Sequence, residues 1–557
     1  MSALSSEHLA ALEPRQLDAA IAYLNLPPVG AFADVGRIPK PGTDEAYELS
    51  PAVRSAVLAV RGAGFSKPSD LLGIAGFGPS ELQTVLGRTS DLTRAGHRLR
   101  PVWGGPEGKR ALFDLIESAE RSIHIQMYIL GGDVGMELVR RLAAKAEAGV
   151  EVRLLFTASG LIISGGPSGT GIVSSLSELR SYLVADMYKR KRMVEAIRAS
   201  KIQMVDSGPI GRHWRRRDLR ALGVKDEKSY VAFVKARGTP DDWVAEQLRI
   251  DEHCALGFTN VDHRKMILVD GARAFIGSQN LADAYFYDNE LSTDPKVNRQ
   301  RWQWHDNSSI LEGGVVGQLN DLFAQRWFVS GGEPFDWKAA AYAPAPVRVG
   351  NALVATEATV PGLLQMPMRE NWHRLALSML GADRRPIVRG NNPIRTRLMD
   401  LPSLAEREVL VEHCYPSDSD LLGHWAATSR HLENFTMVVP RHYDTVLLGL
   451  ECDRFFPELL DAGVHLQGYD RAIMHSKIAV ADGWYTSTGS YNLTLRSARA
   501  DLELQFFVQC PEYGAAVRER IRGDMAECVP ITPTALDRFR ARRSLPFIDA
   551  IVRYAFL

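Results

Sequence analysis

Two stretches of the chain decide its fold: HRKMILVDGARAFIGSQNLADAY (His263–Tyr285) and HSKIAVADGWYTSTGSYNLTLRS (His475–Ser497). When the two are aligned on their first residue, Lys, Asp-Gly, Gly-Ser and Asn recur at the same distances from the histidine. So many shared polar positions at identical spacing indicate an internal repeat. The chain is therefore predicted to contain two related halves that carry the same kind of site.

Each motif is predicted to form a β-hairpin. His and Lys separated by one residue point to the same face of a strand, and the Asp-Gly pair that follows is a strong hairpin-turn signal. A two-residue turn would place His263 opposite Ser278, with Asn280 on the same face, and the second motif would repeat this arrangement. The side chains gathered in this way are His263, Lys265, Ser278 and Asn280 in the first hairpin, and His475, Lys477, Ser490 and Asn492 in the second.

This set of side chains suits the transfer of a phosphodiester group. One imidazole can attack phosphorus, and the other can protonate the leaving oxygen and later deprotonate the incoming alcohol. The two Lys and two Asn side chains would bind the non-bridging oxygens as charge builds in the transition state. No carboxylate cluster accompanies the motifs, so the chemistry requires no metal and no other cofactor. A purely structural repeat is the alternative, but the joint recurrence of His, Lys, Ser and Asn favours a catalytic site.

The repeat also contains one acid in each motif, Asp270 and Asp482, to which we give a different role. Asp270 and Asp482 each precede a glycine, and Asp in that position usually serves the turn itself. We therefore interpret both as structural residues that support the hairpins.

The bulk composition is that of a folded, soluble protein of more than one domain. In 557 residues, Lys plus Arg (66) equals Asp plus Glu (66), so no net charge draws the chain to nucleic acid or to an anionic membrane. Five scattered cysteines fit reduced thiols in the cytoplasm. The N-terminus lacks the pattern of a signal peptide, and no apolar run is long enough to span a bilayer. Any contact with a membrane is expected to be peripheral.

Helix and strand patterns alternate through most of the chain, which predicts an α/β fold. The predicted divisions are an N-terminal helical region (1–95), a first α/β domain (96–338), a Pro- and Ala-rich linker (339–350) and a second α/β domain (351–557). Within the first region, Gly76-Phe77-Gly78 resembles the turn of a helix-hairpin-helix, a module that grips nucleic-acid backbones. A plain turn between two packed helices is the alternative, favoured because few Lys or Arg flank it.

The two motifs resemble the HxKxxxxD and GSxN signature of the phospholipase D superfamily, over roughly residues 100 to 530. Within that superfamily the chain looks most like the bacterial cardiolipin synthases, on the segments MYILGGDVGMELVRRLAAKAEAGVEVRLLF and GSYNLTLRSARADLEL. The resemblance implies two phospholipase D-like α/β domains related by pseudo-twofold symmetry, with mixed, largely parallel sheets flanked by helices. It also implies that the two hairpins meet at one site.

The resemblance carries further expectations about function. It implies that His263 is the nucleophile, that His475 is the acid and base, and that Asp306 and Glu503 orient the imidazoles. The activity it implies is transfer of a phosphatidyl group from a phosphatidylglycerol-like phospholipid to an alcohol, at the cytoplasmic side of the inner membrane. Hydrolysis by a phospholipase D is the alternative, and nucleic-acid cleavage is less favoured. An uncharged loop over 161–173 is one candidate membrane contact, and GSQN in the first motif departs from the cardiolipin synthase pattern, which commonly has a second Gly.

Overall fold

The computed structural model describes most of the two predicted halves and a few pieces of the N-terminal region. The described residues are 3–12, 65–79, 93–156, 192–207, 262–330, 351–359, 392–444, 452–499 and 501–532, with short pieces of 17–24, 38–47 and 332–350 and the single residues 60, 81, 82 and 449. The predicted membrane-contact loop over 161–173 lies outside them. Among the described residues, no helix is long and apolar enough to cross a bilayer.

Strands and helices alternate along the described chain. The strands are β1 (Ile38–Pro39), β2 (Ala46–Tyr47), β3 (Thr93–Trp103), β4 (Ser122–Met127), β5 (Glu151–Phe156), β6 (Gln203–Asp206), β7 (Met266–Val269), β8 (Arg273–Gly277), β9 (Trp304–His305), β10 (Asn307–Glu312), β11 (Ala352–Ala358), β12 (Glu408–His413), β13 (Asn434–Pro440), β14 (His465–Tyr469), β15 (Ile473–Met474), β16 (Lys477–Ala481), β17 (Tyr485–Gly489), β18 (Leu504–Gln509) and β19 (Cys528–Pro530). The α-helices are α1 (Ser6–Ala10), α2 (Pro106–Glu117), α3 (Gly132–Glu147), α4 (Pro295–Gln300), α5 (Val315–Val329), α6 (Pro393–Met399), α7 (Leu401–Leu404), α8 (Ser419–Thr428), α9 (Phe456–Asp461), α10 (Leu495–Arg499) and α11 (Pro511–Met525). A 3₁₀ helix covers Pro68–Leu71.

One fifteen-stranded sheet runs through both halves of the molecule. Its order in the first half is β6-β5-β4-β7-β8-β10-β3, and in the second half β14-β13-β12-β16-β17-β18-β11, with β19 added at the outer edge. The two orders are the same when each strand is matched to its counterpart, so the repeat seen in the sequence is also a repeat of topology. The halves join through the antiparallel pair of β3 and β11 at the centre of the sheet.

The sheet is mixed, as predicted. Parallel pairs lie at the outer side of each half, between β4, β5 and β6 and between β12, β13 and β14. The hairpins and the strands next to the central seam are antiparallel. Antiparallel pairing therefore has a larger share than the prediction of largely parallel sheets suggested, because each motif folds back on itself as a hairpin instead of continuing the strand-helix-strand alternation.

Helices cover both faces of this sheet. In the first half α2 contacts β3 and β8 on one side, and α5 contacts β4, β7 and β10. Helix α3 buries Val134, Leu138 and Leu142, whose spacing of four places them on one face of the helix. It is followed by Gly149 at φ +96°, a left-handed conformation that favours glycine after the end of a helix. Helix α11 packs on β3 as well as on strands of the second half, so it bridges the halves.

The hydrophobic core has three parts. One cluster belongs to the first half and another to the second half together with the N-terminal pieces. The third combines residues of both halves, among them Leu155 and Phe323 from the first and Leu410 and Val517 from the second. This shared cluster ties the two halves into a single packed unit around the central strands.

The N-terminal Gly76-Phe77-Gly78 turn packs into the protein. It follows the 3₁₀ helix and precedes a helical turn, and Gly76 has φ +81°. Phe77 is fully buried and belongs to the hydrophobic cluster of the second half. Because Phe77 at the tip is buried, the turn agrees with the alternative interpretation, a plain turn between packed helical segments.

Candidate active site

The two hairpins form, but their turns are longer than predicted. Val269 pairs with Arg273 and Ala481 pairs with Tyr485, so each turn has three residues. The first turn residue has a left-handed backbone in both hairpins, at φ +55° and +48°. The register therefore differs by one residue from the prediction, and the pairing of β7 with β8 stops at Met266 and Ile276, before Ser278 is reached. The predicted placement of Ser278 opposite His263, and of Ser490 opposite His475, is wrong.

Asp270 and Asp482 begin these turns and bind backbone amides. Asp270 accepts hydrogen bonds from the N–H groups of residues 120, 121 and 122 at 2.7–3.3 Å. Asp482 does the same with residues 406, 407 and 408 at 2.7–3.0 Å. Each carboxylate thus ties a hairpin turn to the chain entering the neighbouring strand, β4 or β12. Both acids make these contacts at the turn end of the hairpin, opposite the end that carries His and Lys.

Each motif histidine is held by a carboxylate of the other half. Nδ1 of His263 lies 3.1 Å from both carboxylate oxygens of Glu503. Nδ1 of His475 lies 2.8 Å from Oδ2 of Asp306. Both acids are fully buried, and the two histidines are nearly so. The structure therefore brings the two motifs to one place, through a crossed pair of His–carboxylate dyads.

The serines of the GSxN segments position these carboxylates. The hydroxyl of Ser278 donates to Oδ1 of Asp306. Ser490 donates to Glu503 at 2.5 Å, and Ser497 donates to the other oxygen of the same carboxylate at 2.6 Å. Each serine thus acts on the acid of its own half, and through that acid on the histidine of the other half. This role replaces the direct His–Ser proximity that the sequence predicted.

Backbone hydrogen bonds also join each motif to the other half. The N–H of His263 donates to the carbonyl of Leu502, one residue before Glu503, at 2.9 Å. The N–H of His475 donates to the carbonyl of His305, one residue before Asp306, at 2.7 Å. Just before His475, the contact between the halves continues as the short parallel strand pair of β9 and β15. Each motif is therefore anchored to the other half by main chain as well as by side chain.

Two buried lysines lie beside the histidines. Nζ of Lys265 donates to the carbonyl of His263 at 2.8 Å, and Nζ of Lys477 donates to that of His475 at 3.0 Å. Nζ of Lys477 is also 3.3 Å from Nε2 of His475. Burial, reinforced by the nearby charge of Lys477, lowers the pKa of Lys265 to about 7. Two ammonium groups at one buried place create a strong positive field that an anionic group would relieve.

The same burial and positive charge act on the imidazoles. Burial and then Lys477 lower the pKa of His475 to about 3, although Asp306 opposes the change. The pKa of His263 is lowered well below its usual value by burial and by both lysines. Neutral imidazoles whose Nδ1 atoms face carboxylates carry their proton on Nδ1, so that the lone pair lies on Nε2. Each Nε2 can then act as a nucleophile or a base.

The two Asn side chains lie in the site with protein partners. Asn280 donates from Nδ2 to the hydroxyl of Tyr285 at 2.9 Å and accepts from the N–H of Ile129 at 3.2 Å. Oδ1 of Asn492 accepts from the thiol of Cys414 at 3.3 Å. These contacts hold the two amide groups in place, and phosphate binding by them stays a prediction.

Sequence reasoning missed the aromatic side chains of the site. Tyr128 meets His263 edge to face, with ring centres 5.0 Å apart. Three rings surround His475 with centres 5.0–5.8 Å away; they belong to Tyr285, Trp304 and Tyr415. Their positions in the sequence offered a signal, because Tyr128 directly follows strand β4 and Trp304 stands two residues before Asp306. Aromatic walls of this kind exclude water from the histidines and give the site an apolar lining.

A family model described as "Cardiolipin synthase, PLD-like domain" matches residues 112–294 and 399–525, which include both motifs. The chain belongs to this family. It is 24% identical over 406 residues to a cardiolipin synthase of Geobacillus kaustophilus, covering 72% of this chain and 61% of that protein. It is 23% identical over 436 residues to a probable cardiolipin synthase of Bacillus subtilis, covering 78% of this chain and 67% of that protein. The chain thus spans about three fifths of the length of the first of these relatives.

Among solved structures, the phosphatidylserine synthase of Haemophilus influenzae is similar at a TM-score of 0.49 and 13% identity. The match covers 82% of this chain and 95% of that one. The family assignment rests on the family model, whose two matched segments correspond to the two halves of the sheet.

Proposed function

We propose that the protein is a phosphatidyltransferase of the cardiolipin synthase type, which moves a phosphatidyl group from one phospholipid to an alcohol. The crossed His–carboxylate dyads carry this proposal. They supply two imidazoles at one buried place, each with Nδ1 fixed by an acid. Membership in the cardiolipin synthase family and the names of the relatives support a phospholipid as substrate.

The reaction proceeds in two steps. In the first, Nε2 of His263 attacks phosphorus, the bond to the leaving alkoxide breaks, and His475 gives that oxygen a proton. In the second, His475 takes the proton of the acceptor alcohol, whose oxygen attacks phosphorus and releases His263. Lys265 and Lys477 neutralise the non-bridging oxygens throughout, aided by the Asn280 and Asn492 amides. Glu503 and Asp306 hold the two rings in place.

The first step requires a proton on His475, although its pKa is lowered to about 3 by burial and by Lys477. Substrate binding would raise the pKa of His475, because the phosphodiester of the substrate is an anion. Placed between the two ammonium groups, that charge offsets the field that Lys477 exerts on the imidazole and favours protonation of the ring. Proton uptake is therefore coupled to substrate binding, and the second histidine becomes an acid when the phosphate arrives.

We propose that the protein works at the cytoplasmic face of the inner membrane as a peripheral protein, since its substrates reside in a bilayer. The uncharged segment over 161–173 remains a candidate contact. Exchange of Ile162, Ile163 and Ile172 for Ser in one variant should weaken sedimentation with anionic phospholipid vesicles. Unchanged sedimentation would remove this loop from the proposal and leave the phosphatidyltransferase assignment intact.

The test is to offer labelled phosphatidylglycerol in detergent micelles and to resolve the products. Cardiolipin with released glycerol indicates transfer, and phosphatidic acid indicates hydrolysis by a phospholipase D. His263→Ala should abolish both products, whereas His442→Ala, which changes a half-exposed histidine of the second half, should not. The reaction is run with and without EDTA. Turnover that is lost in EDTA and returns with Mg²⁺ would contradict the mechanism, and cleavage of DNA without turnover of lipid would replace it with a nuclease.

A further inference from the structure

A second cluster of ionisable side chains lies behind the catalytic hairpins. His305, Glu412 and Asp524 are all buried, and one donor atom of each lies within 4.8 Å of the others. Nε2 of His305 is 3.4 Å from Oε2 of Glu412 and 3.2 Å from Oδ2 of Asp524. Two carboxylates thus converge on a single ring nitrogen, and none of the three residues takes part in the proposed reaction.

The equivalent place in the first half also contains a buried acid, Asp262, but there arginine side chains balance its negative charge. Glu412 pairs with the third residue after the histidine of its motif, and Gln126 pairs with the same position of the first motif. Gln126 donates to Asp262 at 2.7 Å, and the same carboxylate accepts from the guanidinium groups of Arg264 and Arg326 at 3.0 Å. Behind the first motif, two protein cations therefore neutralise the buried acid.

Behind the second motif, a serine replaces one of these two arginines. Ser476 stands where the first motif has Arg264, and its buried hydroxyl has no hydrogen-bond partner within the described part of the chain. Oε1 of the fully buried Glu412 also lacks a partner among the described residues. A buried carboxylate oxygen without a partner is costly, and a cation bound to the carboxylate would offset that cost.

We propose that His305, Glu412 and Asp524 bind a divalent transition-metal ion such as Zn²⁺ or Mn²⁺. Two ligand atoms about 2.1 Å from a tetrahedral ion are separated by roughly 3.4 Å, and the distances from the imidazole nitrogen to the two carboxylates agree with this. One imidazole and two carboxylates are ligands that suit these ions. The free oxygen of Glu412 then gains a charge partner.

The cluster has a route to solvent. A cleft of about 310 Å³ is lined by His305 and Asp524, with Tyr469 and Arg471 among its other walls. The thiol of Cys528 donates to the carbonyl of Asp524 at 3.3 Å, so a sulfur atom lies at the rim of the cluster. The side chain of Asp524 also accepts from Nε of Arg520 at 2.9 Å. That contact holds the carboxylate in place from the side of the cleft.

The ion would act on structure, because it lies behind the reacting groups. His305 belongs to β9, its carbonyl binds the N–H of His475, and the next residue is Asp306. A metal ion on its ring would fix this short strand and with it the dyad of the second histidine. The site therefore goes beyond the proposed reaction, whose chemistry stays free of metal.

The experiment measures metal binding directly in the full-length chain. After treatment with EDTA and dialysis, the protein is loaded with Zn²⁺ or Co²⁺ and its metal content and Tm are determined. We expect one ion per chain, a rise in Tm on loading, and the visible absorption bands of four-coordinate Co²⁺. Glu412→Gln introduces the residue of the first half and should weaken binding by at least about tenfold. Glu357→Gln, a buried acid paired with Arg397, is the matched control and should bind normally.

Two results would overturn the proposal. One is a wild-type chain that takes up no stoichiometric ion and shows no Co²⁺ bands. The other is a Glu412→Gln variant that binds as tightly as the wild type. Should that variant fail to fold, the Co²⁺-loaded wild type still decides the matter, because a His305 ligand gives a strongly shifted imidazole N–H resonance that His305→Gln must remove.

Discussion

Replacing Lys265 by Met should lower turnover by about 10²–10³-fold and at the same time stabilise the fold. The ammonium group of Lys265 is buried next to Lys477, and burial with that like charge lowers its pKa from 10.5 to about 7. The folded state thus disfavours a charge that the unfolded chain carries freely in water. Met has a similar length and no charge, so it can occupy the same space without this electrostatic penalty.

The penalty can be estimated from the change in pKa. Each pKa unit corresponds to about 1.4 kcal/mol, so the decrease from 10.5 to about 7 costs roughly 4–5 kcal/mol in the charged form. Met loses the hydrogen bond to the carbonyl of His263, about 1 kcal/mol, and removes a cation that Glu503 and Asp306 face. We therefore expect a net increase of about 1–3 kcal/mol in the free energy of unfolding at neutral pH.

The increase should depend on pH in a defined direction. Below pH 7, Lys265 is charged in both folded and unfolded chains, so the difference between variant and wild type is constant. Between pH 7 and 10.5 the folded wild type has lost the proton that its unfolded chain retains, and its stability rises with pH relative to the variant by up to about 1.4 kcal/mol per unit. The advantage of the Met variant should therefore be largest in neutral or mildly acidic buffer and shrink in alkaline buffer.

Urea unfolding at pH 6, 8 and 9.5, followed by tryptophan fluorescence, measures these differences. Lys296→Met, which changes an exposed lysine on α4, is the control and should leave stability nearly unchanged. Loss of a phosphate-binding charge should lower kcat by about 10²–10³-fold. A Lys265→Met protein that is less stable than wild type at pH 6, or an advantage independent of pH, would refute the reasoning.

The dyads and the N-terminal region give three more expectations. With a nitrophenyl phosphodiester, His475→Ala should accumulate a covalent adduct on His263, since a good leaving group needs no acid while the second step lacks its base; general acid–base help is worth about 10²–10⁴-fold. Intact-protein mass spectrometry detects the adduct, and finding it instead on His475 of the His263→Ala variant would reverse the two roles. Glu503→Gln should impair formation of the adduct with any substrate. Asp306→Asn should impair protonation of the leaving group, so it should lower turnover of the phospholipid but not of the nitrophenyl phosphodiester. Equal losses with the phospholipid and the nitrophenyl phosphodiester in the Asp306→Asn variant would contradict this division of roles. Duplex DNA should bind weakly if at all, and tight, salt-sensitive binding that is lost on deletion of residues 1–95 would favour a nuclease.

Local patterns in the sequence predicted an alternation of helices and strands. The structure contains this alternation, for example in β4, α3 and β5 of the first half and in β13, α9 and β14 of the second. The register of the two hairpins could not be predicted from the sequence. An Asp-Gly pair predicts a turn but does not fix its length, and one additional residue moved Ser278 away from His263.

Contacts between the halves could not be predicted from spacing. Nothing in the local sequence says that Glu503 reaches His263 across the molecule, since their contact depends on how two domains pack. Resemblance to a family pointed to this acid, but the crossing of the dyads became visible only in three dimensions. The same holds for His305 and Glu412, which lie in different halves and show no shared motif.

The crossed dyads have a consequence for how such a duplicated protein can change over time. After an internal duplication, one copy is usually free to accumulate substitutions while the other keeps the activity. Here His263 depends on an acid of the second copy, and His475 depends on an acid of the first. Loss of the acid in either copy therefore impairs the histidine of the other copy, so selection acts on both copies at once. A single copy could regain a complete dyad only by pairing with a second copy, because each histidine takes its carboxylate from the other half.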